Sequence, residues 1–251
     1  MKQFFVINPE FKKFEKELQD IISNYENKGV AFGNQKRNSL RLFKFDNFTI
    51  NVKSFKKPNV FNKLVYKFFR QSKAQRSFEY ANKLKALDIG TPQPIAYFEF
   101  SSILSFGNSF YLSEHWDKAF TYRDLIDDFN YPDYDTILRT FTRFTYQLHE
   151  KSINFLDHSP GNTLIKKTEE GYEFALVDLN RMRFESMDFN SRMKNFARLS
   201  KYKQMVEVMS DEYAKCYQVS YEKVFAKMWM EVQNFRNKKA KKKRLKNLFR
   251  A

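Results

Sequence analysis

The stretch that decides the fold is LHEKSINFLDHSPGNTLI, residues 148–165. Within it, the acidic residue Asp157 precedes Asn162 by five positions. Beyond it, the apolar run FALV at 174–177 is followed directly by Asp178. The alternating residues between Asn162 and Asp178 predict a β-hairpin. Asp157, Asn162 and Asp178 therefore supply two carboxylates and one amide, whose oxygen atoms are ligands that Mg²⁺ prefers in proteins.

This spacing resembles the catalytic loop and metal-binding segment of kinases. Phosphoryl transfer requires positioning and charge neutralisation more than covalent chemistry. Asp157 would accept or orient the proton of the substrate hydroxyl, and Asn162 and Asp178 would hold Mg²⁺. The alternative is a chance spacing in which Asp178 merely ends a strand. The flanking residues 148–151 and 163–165 also fit the kinase pattern and disfavour that alternative.

A kinase also needs a lysine that holds the α- and β-phosphates of ATP. Lys53 ends an apolar alternation at a suitable place, and Lys56 and Lys57 are its rivals. Its expected partner is Glu79, which lies on a helix predicted over residues 72–87. For each of these residues the alternative is an ordinary solvated charge.

The adenine and phosphate contacts are predicted from position along the chain. Glu114 and His115 lie where the connection to a second lobe would pass the adenine. Gly33 and Arg37 belong to a turn that could cover the phosphates with backbone N–H groups. Kinases usually carry several glycines in this turn, so an ordinary hairpin is an equally open interpretation.

The order of predicted elements indicates an α+β fold of two lobes, because strands dominate early and helices late. Residues 8–27 predict an amphipathic helix, 39–45 and 48–55 a strand pair, and 122–152 a continuous helical region. A further strand pair is predicted at 95–100 and 101–106, followed by a strand at 109–115.

The expected architecture is a protein-kinase-like fold. Its N-lobe would be an antiparallel sheet with one main helix, and its C-lobe would be mostly helical. The predicted divisions are an N-terminal helical extension at 1–29, the N-lobe at 30–115, the C-lobe at 116–234 and a basic tail at 235–251.

Further stretches point to one branch of this fold. They are SKAQRSFE at 72–79, GTPQP at 90–94, DLNRMR at 178–183 and NFARL at 195–199. With them, the chain resembles the lipopolysaccharide core kinases, the Kdo and heptose kinase family of Gram-negative bacteria, over residues 30–200. The SPGN form of the loop and the segment VKSFK resemble Bacteroidetes-type members.

The resemblance implies an ATP- and Mg²⁺-dependent kinase that phosphorylates an inner-core sugar. The expected acceptor is 3-deoxy-D-manno-octulosonic acid (Kdo) linked to lipid A. Arg181 and Arg183, which follow the metal aspartate, are expected to meet acidic groups of that acceptor. The alternative for both arginines is a salt bridge within their own segment.

Several residues depart from conventional protein kinases. Phe155 replaces a structural histidine, Ser159 replaces the usual lysine, and Leu179-Asn180 follows Asp178 in place of Phe-Gly. No long activation segment is predicted before helix resumes near residue 190. These departures resemble RIO-type and small-molecule kinases. An atypical RIO-like protein kinase and a catalytically inactive nucleotide- or RNA-binding module remain the alternatives.

The charge balance favours an anionic partner. The chain has 45 Lys and Arg against 29 Asp and Glu, for a net charge of +16. Such a charge attracts acidic surfaces over long range, and the tail at 235–251 is especially basic. An anionic membrane surface is the expected partner, nucleic acid is disfavoured but open, and a solvated tail is the plain alternative.

Compartment is inferred from cysteine content and from the apolar segments. A single cysteine, Cys216, allows no internal disulfide, and this fits a reducing compartment. Neither a secretory signal nor an apolar run long enough for a membrane span is predicted. The expectation is a cytoplasmic protein that is peripheral on the inner face of the inner membrane.

Overall fold

The computed structural model describes residues 2–33, 38–55, 71–101 and 106–248. The chain divides into two compact units, Met1–Asp117 and Lys118–Ala251. No helix in the described ranges combines the length and apolar composition needed to cross a bilayer.

The first unit is built on a six-stranded antiparallel sheet with the spatial order β1-β5-β6-β4-β3-β2. Its strands are β1 (Lys2–Ile7), β2 (Val30–Ala31), β3 (Ser39–Phe45), β4 (Phe48–Phe55), β5 (Pro94–Ser101) and β6 (Phe106–Glu114). The predicted hairpin of β3 and β4 is confirmed, and Asp46 in its turn has a positive φ of 44°. Asp tolerates this left-handed conformation better than most residues.

Two strand predictions are corrected. Instead of a pair within 95–106 and a separate strand at 109–115, one long β6 pairs with β5. Residues 102–105, between these strands, lie outside the described residues. The alternation of apolar and polar residues indicates strands in this region, but it does not locate the boundary between them. Gly107 explains the close approach, since a Cβ there would lie 2.5 Å from the carbonyl oxygen of Phe100.

The predicted helical extension at 1–29 is wrong in its first part. Strand β1 forms an edge of the sheet and pairs with β5. A 3₁₀ helix, Pro9–Phe14, and helix α1, Glu15–Ser23, follow it. The strand forms because KQFFVI is rich in aromatic and β-branched residues. Leu18 and Ile22 of α1 are buried in the same core as the sheet.

Helix α2, Lys73–Ala86, is the main helix of the first unit and packs on β5 and β6. Ser72 caps its start, with the side-chain oxygen accepting a hydrogen bond from the Gln75 N–H at 2.9 Å. Such a cap satisfies an N–H group that has no partner within the helix. Ala74, Phe78 and Leu84 are buried along the inner face, and this packing sets the position of Glu79.

The second unit contains a three-stranded sheet, β10-β9-β7, and a two-stranded sheet, β11-β8. The strands are β7 (Phe120–Thr121), β8 (Ile153–Phe155), β9 (Thr163–Thr168), β10 (Gly171–Leu176) and β11 (Met182–Phe184). The helices are α3 (Tyr122–Asp127), α4 (Tyr134–Glu150), α5 (Phe189–Asn195), α6 (Lys203–Tyr217) and α7 (Tyr221–Leu248), with a 3₁₀ helix at Phe196–Arg198. The predicted β9–β10 hairpin is confirmed.

The helical region predicted over 122–152 is interrupted. Helices α3 and α4 are separate because Pro132 lacks a backbone N–H and restricts the residue before it. Asp133 then adopts a positive φ of 59° before α4 begins. The core of the unit forms where α4 packs on α6 and α6 packs on α7. Fully buried rings such as Phe141 and Tyr213 fill it.

Candidate active site

The loop that carries Asp157 connects β8 to β9 and is called here the Asp157 loop, residues 156–162. It is held at its start by the pairing of β8 with β11, in which Phe155 lies opposite Met182. The Leu156 N–H donates to the Arg181 carbonyl at 3.1 Å. The loop is thereby fixed to the segment that follows Asp178.

Asn162 connects the three predicted catalytic and metal-binding residues. Its side-chain Nδ2 donates to the Asp157 carbonyl at 2.8 Å. Its own carbonyl accepts a hydrogen bond from the Val177 N–H at 3.0 Å, and Val177 directly precedes Asp178. With Nδ2 engaged in this way, the amide oxygen Oδ1 is the remaining polar atom of the Asn162 side chain.

Asp178 has an unusual backbone conformation, with a positive φ of 59°. Asp adopts this left-handed conformation more readily than most residues, and Asp46 and Asp133 share it. The Asn180 Nδ2 donates to Asp178 Oδ1 at 2.7 Å. The side-chain contact fixes the direction of the carboxylate.

Two arginines form ion pairs with the Asp157 carboxylate. Nη1 of Arg198 lies 2.5 Å from Oδ1, and Nη1 of Arg181 lies 3.1 Å from the same oxygen. Arg198 also donates to the Leu156 carbonyl at 3.2 Å, so it holds both the loop backbone and the carboxylate. The Arg181 side chain is 57% exposed against 37% for Arg198, and Arg181 is the more accessible of the two.

Arg183, the other predicted acceptor-binding arginine, has a different contact. Its Nη1 lies 3.5 Å from Glu185 Oε1, and both side chains are exposed. Exposed ion pairs of this kind contribute about 0–1 kcal/mol. Both predicted arginines therefore form ion pairs with acidic residues in this structure, and a competing acidic ligand would have to displace those contacts.

A buried polar layer supports the Asp157 loop from below. The Asn195 Nδ2 donates to the Phe155 carbonyl at 2.9 Å, and its Oδ1 lies 2.9 Å from His158 Nδ1 and 3.3 Å from His149 Nε2. Burial lowers the pKa of His149 to about 3 and that of His158 to about 4. Both imidazoles are therefore neutral at physiological pH and serve the packing of the loop.

The residues that could hold a metal are few. No group of three or more His, Cys, Asp or Glu side chains suited to a metal occurs in the described part of the chain. Mg²⁺ is commonly held by one or two protein oxygens together with phosphates and water. The amide oxygen of Asn162 and the carboxylate of Asp178 fit that donor set.

In the first unit, Lys53 lies on β4 between Leu40 of β3 and Tyr111 of β6. Its Nζ is 5.3 Å from the ring centroid of Phe55. Glu79 accepts hydrogen bonds from Gln71 at 2.9 Å and from Gln75 at 2.8 Å. The predicted ion pair between Lys53 and Glu79 is not among the contacts of the described residues.

Glu114 and His115 end the β6 segment. The Glu114 N–H donates to the Gln93 carbonyl and the His115 N–H to the Thr49 carbonyl. Burial raises the pKa of the Glu114 carboxyl. Since both N–H groups are engaged within the first unit, an adenine contact here would use the carbonyl groups or the side chains.

The predicted phosphate-covering turn is only partly described. Gly33 has a positive φ of 65°, which favours glycine at this turn. The neighbouring Phe32 packs edge-on against the ring of His115, with centroids 5.1 Å apart. Arg37, together with residues 34–36, lies outside the described residues, as do the rival lysines Lys56 and Lys57.

The sequence model of the Lipopolysaccharide kinase (Kdo/WaaP) family matches residues 15–219. This chain belongs to that family. The predicted family is thereby confirmed, and the chain is a kinase of the lipopolysaccharide core type. No curated protein sequence matches it.

A solved structure supports the fold of this Kdo/WaaP family member. A structure described as WaaP in complex with acyl carrier protein is similar, with a TM-score of 0.64 and 14% identity, and covers 95% of this chain and 98% of its own. The Rio2 kinase from Chaetomium thermophilum, in its ADP/Mg²⁺-phosphoaspartate complex, matches with a TM-score of 0.46 and 14% identity over 84% of this chain and 65% of its own. The predicted kinase-like α+β fold is confirmed by the WaaP similarity.

Three side chains of the site have contacts that the sequence alone does not predict. Arg198 and Asn195 belong to a family-like stretch, and Asn180 departs from Phe-Gly, but neither observation assigns them a partner. The partners of Asn195 and Arg198 lie far along the chain, for example 41 residues away for Arg198 and Asp157, whereas Asn180 contacts Asp178 only two residues away. Local spacing carries no signal for the two distant contacts. The family-like stretch itself was the available signal.

Proposed function

We propose that this kinase transfers the γ-phosphate of ATP to a hydroxyl of Kdo linked to lipid A. The observation that carries the proposal is the Asp157 loop. There Asn162 joins the backbone of Asp157 to the residue before Asp178, and two arginines contact the Asp157 carboxylate. Family membership supports a lipopolysaccharide core acceptor, and the choice of Kdo is part of the proposal.

Asp157 is proposed to act as the catalytic base. The acceptor hydroxyl oxygen attacks the γ-phosphorus, the bond from that phosphorus to the β,γ-bridging oxygen breaks, and ADP leaves. The hydroxyl proton moves to the Asp157 carboxylate. Arg198, which holds both the loop backbone and the carboxylate, keeps Asp157 in position. Arg181, more exposed, would release Asp157 and contact the acceptor.

Asn162 and Asp178 are proposed to hold Mg²⁺. Their oxygen atoms match its ligand preference, and the contact from Asn180 directs the Asp178 carboxylate. Bound there, the ion would neutralise charge on the transferred phosphoryl group.

The nucleotide contacts are proposed for the first unit. Lys53 would hold the α- and β-phosphates, and Glu79 would orient Lys53 once it leaves the glutamine side chains that now bind it. Glu114 and His115 would contact the adenine. Gly33 and Arg37 would lie in the turn over the phosphates.

A sugar acceptor is favoured over a peptide by the segment after Asp178. Only β11 and a short connection separate Asp178 from α5, which begins at Phe189. A conventional protein kinase uses a longer segment here to bind peptide. Arg181 and Arg183 are both exposed in this segment, and they could meet the carboxylate of Kdo.

A position on the inner face of the inner membrane is proposed because the acceptor is a membrane glycolipid. Helix α7 ends in a run of lysines and arginines after Val232, its last buried residue. Basic helices of this type are attracted to anionic lipid surfaces. The protein is proposed to reach its acceptor from the cytoplasmic side as a peripheral protein.

The test is phosphate transfer from γ-labelled ATP with Mg²⁺, using purified protein and Kdo-bearing lipid A in detergent micelles. The wild type is expected to label the glycolipid. Asp157→Ala is expected to abolish labelling, while Asp133→Asn, a change in an exposed ion pair with Lys167, serves as the matched control.

Two other outcomes would change the proposal. Labelling of proteins in a cell extract without labelling of the glycolipid would favour the RIO-like protein kinase. ATP binding without turnover on any acceptor would favour an inactive nucleotide-binding module.

A further inference from the structure

A pocket of about 600 Å³ opens beside the Asp157 loop, entirely within the second unit. Ser159 and Pro160 of the loop line one side of it, and residues 197–201 line another. The third side is a face of α7 that includes Phe235 and Ala240. The pocket therefore adjoins the proposed site of phosphate transfer.

The pocket is strongly cationic. It contains one carboxylate, Asp127, and six cationic side chains: Arg123, Arg198, Lys201, Arg236, Lys239 and Lys243. Arg198 is engaged by Asp157. Within the described residues, none of the other five forms an ion pair. Their uncompensated charge produces a local positive potential that attracts anions.

The arrangement of these cations follows from the helix period. Arg236, Lys239 and Lys243 recur at spacings of three and four residues, so they share one face of α7. Lys238, Lys241 and Lys242 do not line the pocket; the first two lie on the opposite face of the helix, and Lys242 lies at its side. The Arg236 Nη1 donates to the Lys201 carbonyl at 3.5 Å, which links this face to the turn after Arg198.

Arg123 brings a guanidinium directly over the Asp157 loop. Its backbone N–H donates to the Pro160 carbonyl at 3.0 Å. A Cβ added to Gly161 would lie only 3.3 Å from Arg123 Nη2. The glycine thus permits a close approach between this cation and the loop that presents Asp157.

We propose that this pocket binds a phosphate group carried by the acceptor glycolipid itself, while the acceptor hydroxyl lies at Asp157. Arginine and lysine side chains are the usual protein partners of phosphate. The pocket shares Arg198 and the Asp157 loop with the reaction site, so one acceptor molecule could reach both. The proposal rests on the proposed function and assigns α7 a role in acceptor recognition.

The test compares two triple variants of one helix that remove the same charge, one from residues that line the pocket and one from residues that do not. The pocket variant is Arg236→Gln/Lys239→Gln/Lys243→Gln, and the control is Lys238→Gln/Lys241→Gln/Lys242→Gln. Glutamine retains good helix propensity, and all six side chains are exposed. Thermal unfolding of both variants should match that of the wild type.

The probe is Kdo-bearing lipid A in neutral detergent micelles, with its phosphates intact or removed by phosphatase. Equilibrium binding without ATP is measured first, then KM and kcat for transfer. The pocket variant is expected to bind the phosphorylated probe about tenfold more weakly, with a matching rise in KM, as lost charge-assisted contacts require. In the control variant, the affinity for the phosphorylated probe and the KM should each differ from the wild-type value by less than about threefold. The dephosphorylated probe should bind all three proteins equally.

Equal weakening by both triple variants would overturn the proposal and indicate general attraction of α7 to an anionic surface. Equal affinity of the wild type for the two probes would overturn it as well. Failure of the proposed function is distinct, since the wild type would then transfer phosphate to neither probe even where the binding difference is observed.

Discussion

In the second unit, Asp157, Asn162 and Asp178 are connected through one loop and one hairpin, and hydrogen bonds join them directly or through a neighbouring residue. In the first unit, Lys53 and Glu79 lie on a strand and on a separate helix, and Glu79 contacts glutamine side chains. The contrast shows that hydrogen bonds of the protein itself hold the proposed transfer residues together. The proposed nucleotide residues would need a side-chain rearrangement.

The largest expected effect tests the hydrogen-bonded residues of the second unit. Asp178→Asn removes one of the two proposed metal ligands, and phosphate transfer should fall by roughly a thousandfold, since several kcal/mol of charge stabilisation are lost. Steady-state transfer measured across a range of Mg²⁺ concentrations checks this. Asp188→Asn, a change at the cap of α5, is the control. Unchanged transfer with unchanged Mg²⁺ dependence would remove Asp178 from the site.

The next effect distinguishes the two arginines on Asp157. Arg198→Gln loses contacts to both the Leu156 carbonyl and Asp157, so kcat should fall by about tenfold to a hundredfold. Arg181→Gln should mainly raise KM for the acceptor, because Arg181 is the more exposed of the two.

Kinetic measurement of kcat and KM for each variant, with Arg198→Lys alongside, separates these roles. A lysine cannot reproduce the two contacts of a guanidinium, so Arg198→Lys should remain impaired. Identical profiles for the two arginine variants would contradict the assignment.

A smaller effect tests the rearrangement in the first unit. If Glu79 pairs with Lys53 when ATP binds, Glu79→Gln should raise KM for ATP about tenfold, as loss of a partly buried charge contact does. The exposed Glu17→Gln on α1 is the control. A double-mutant cycle with Lys53→Met measures the coupling. Additive effects would mean that Glu79 keeps its glutamine contacts throughout.

The smallest effect concerns the layer beneath the Asp157 loop. His149 and His158 are neutral when folded, with pKa values of about 3 and about 4, whereas unfolded histidine titrates near 6.5. As pH falls below about 6.5, the unfolded chain binds more protons than the native one. Each histidine then lowers the free energy of unfolding by up to about 1.4 kcal/mol per pH unit.

Urea unfolding at about pH 6.5 and pH 5 measures this loss, a window set by the same pKa values. His158→Phe should remove about half of the pH dependence, because the phenylalanine can pack between Phe141 and Phe155 and does not titrate. If the free energy of unfolding changes with pH by the same amount in this variant and in the wild type, His158 does not contribute to that pH dependence.

The same contrast explains what the sequence could predict. The Asp157 loop and the β9–β10 hairpin are local in sequence, so spacing and alternation identify them. Arg198 reaches Asp157 from a distant 3₁₀ helix, and nothing in local spacing indicates that contact. Strand β1 was missed because its edge position depends on pairing with β5, far along the chain. The cationic pocket required the direction of α7 relative to residues 197–201, whereas sequence showed only a basic run.

The most direct test of the central claim is mass spectrometry of lipid A–core from cells that carry this protein, lack it, or carry only Asp157→Asn. The account predicts one additional phosphoryl group, located on Kdo, in the first sample alone. An identical lipid A–core in all three samples, with the protein folded and expressed, would contradict the claim that Asp157 serves phosphate transfer to this sugar.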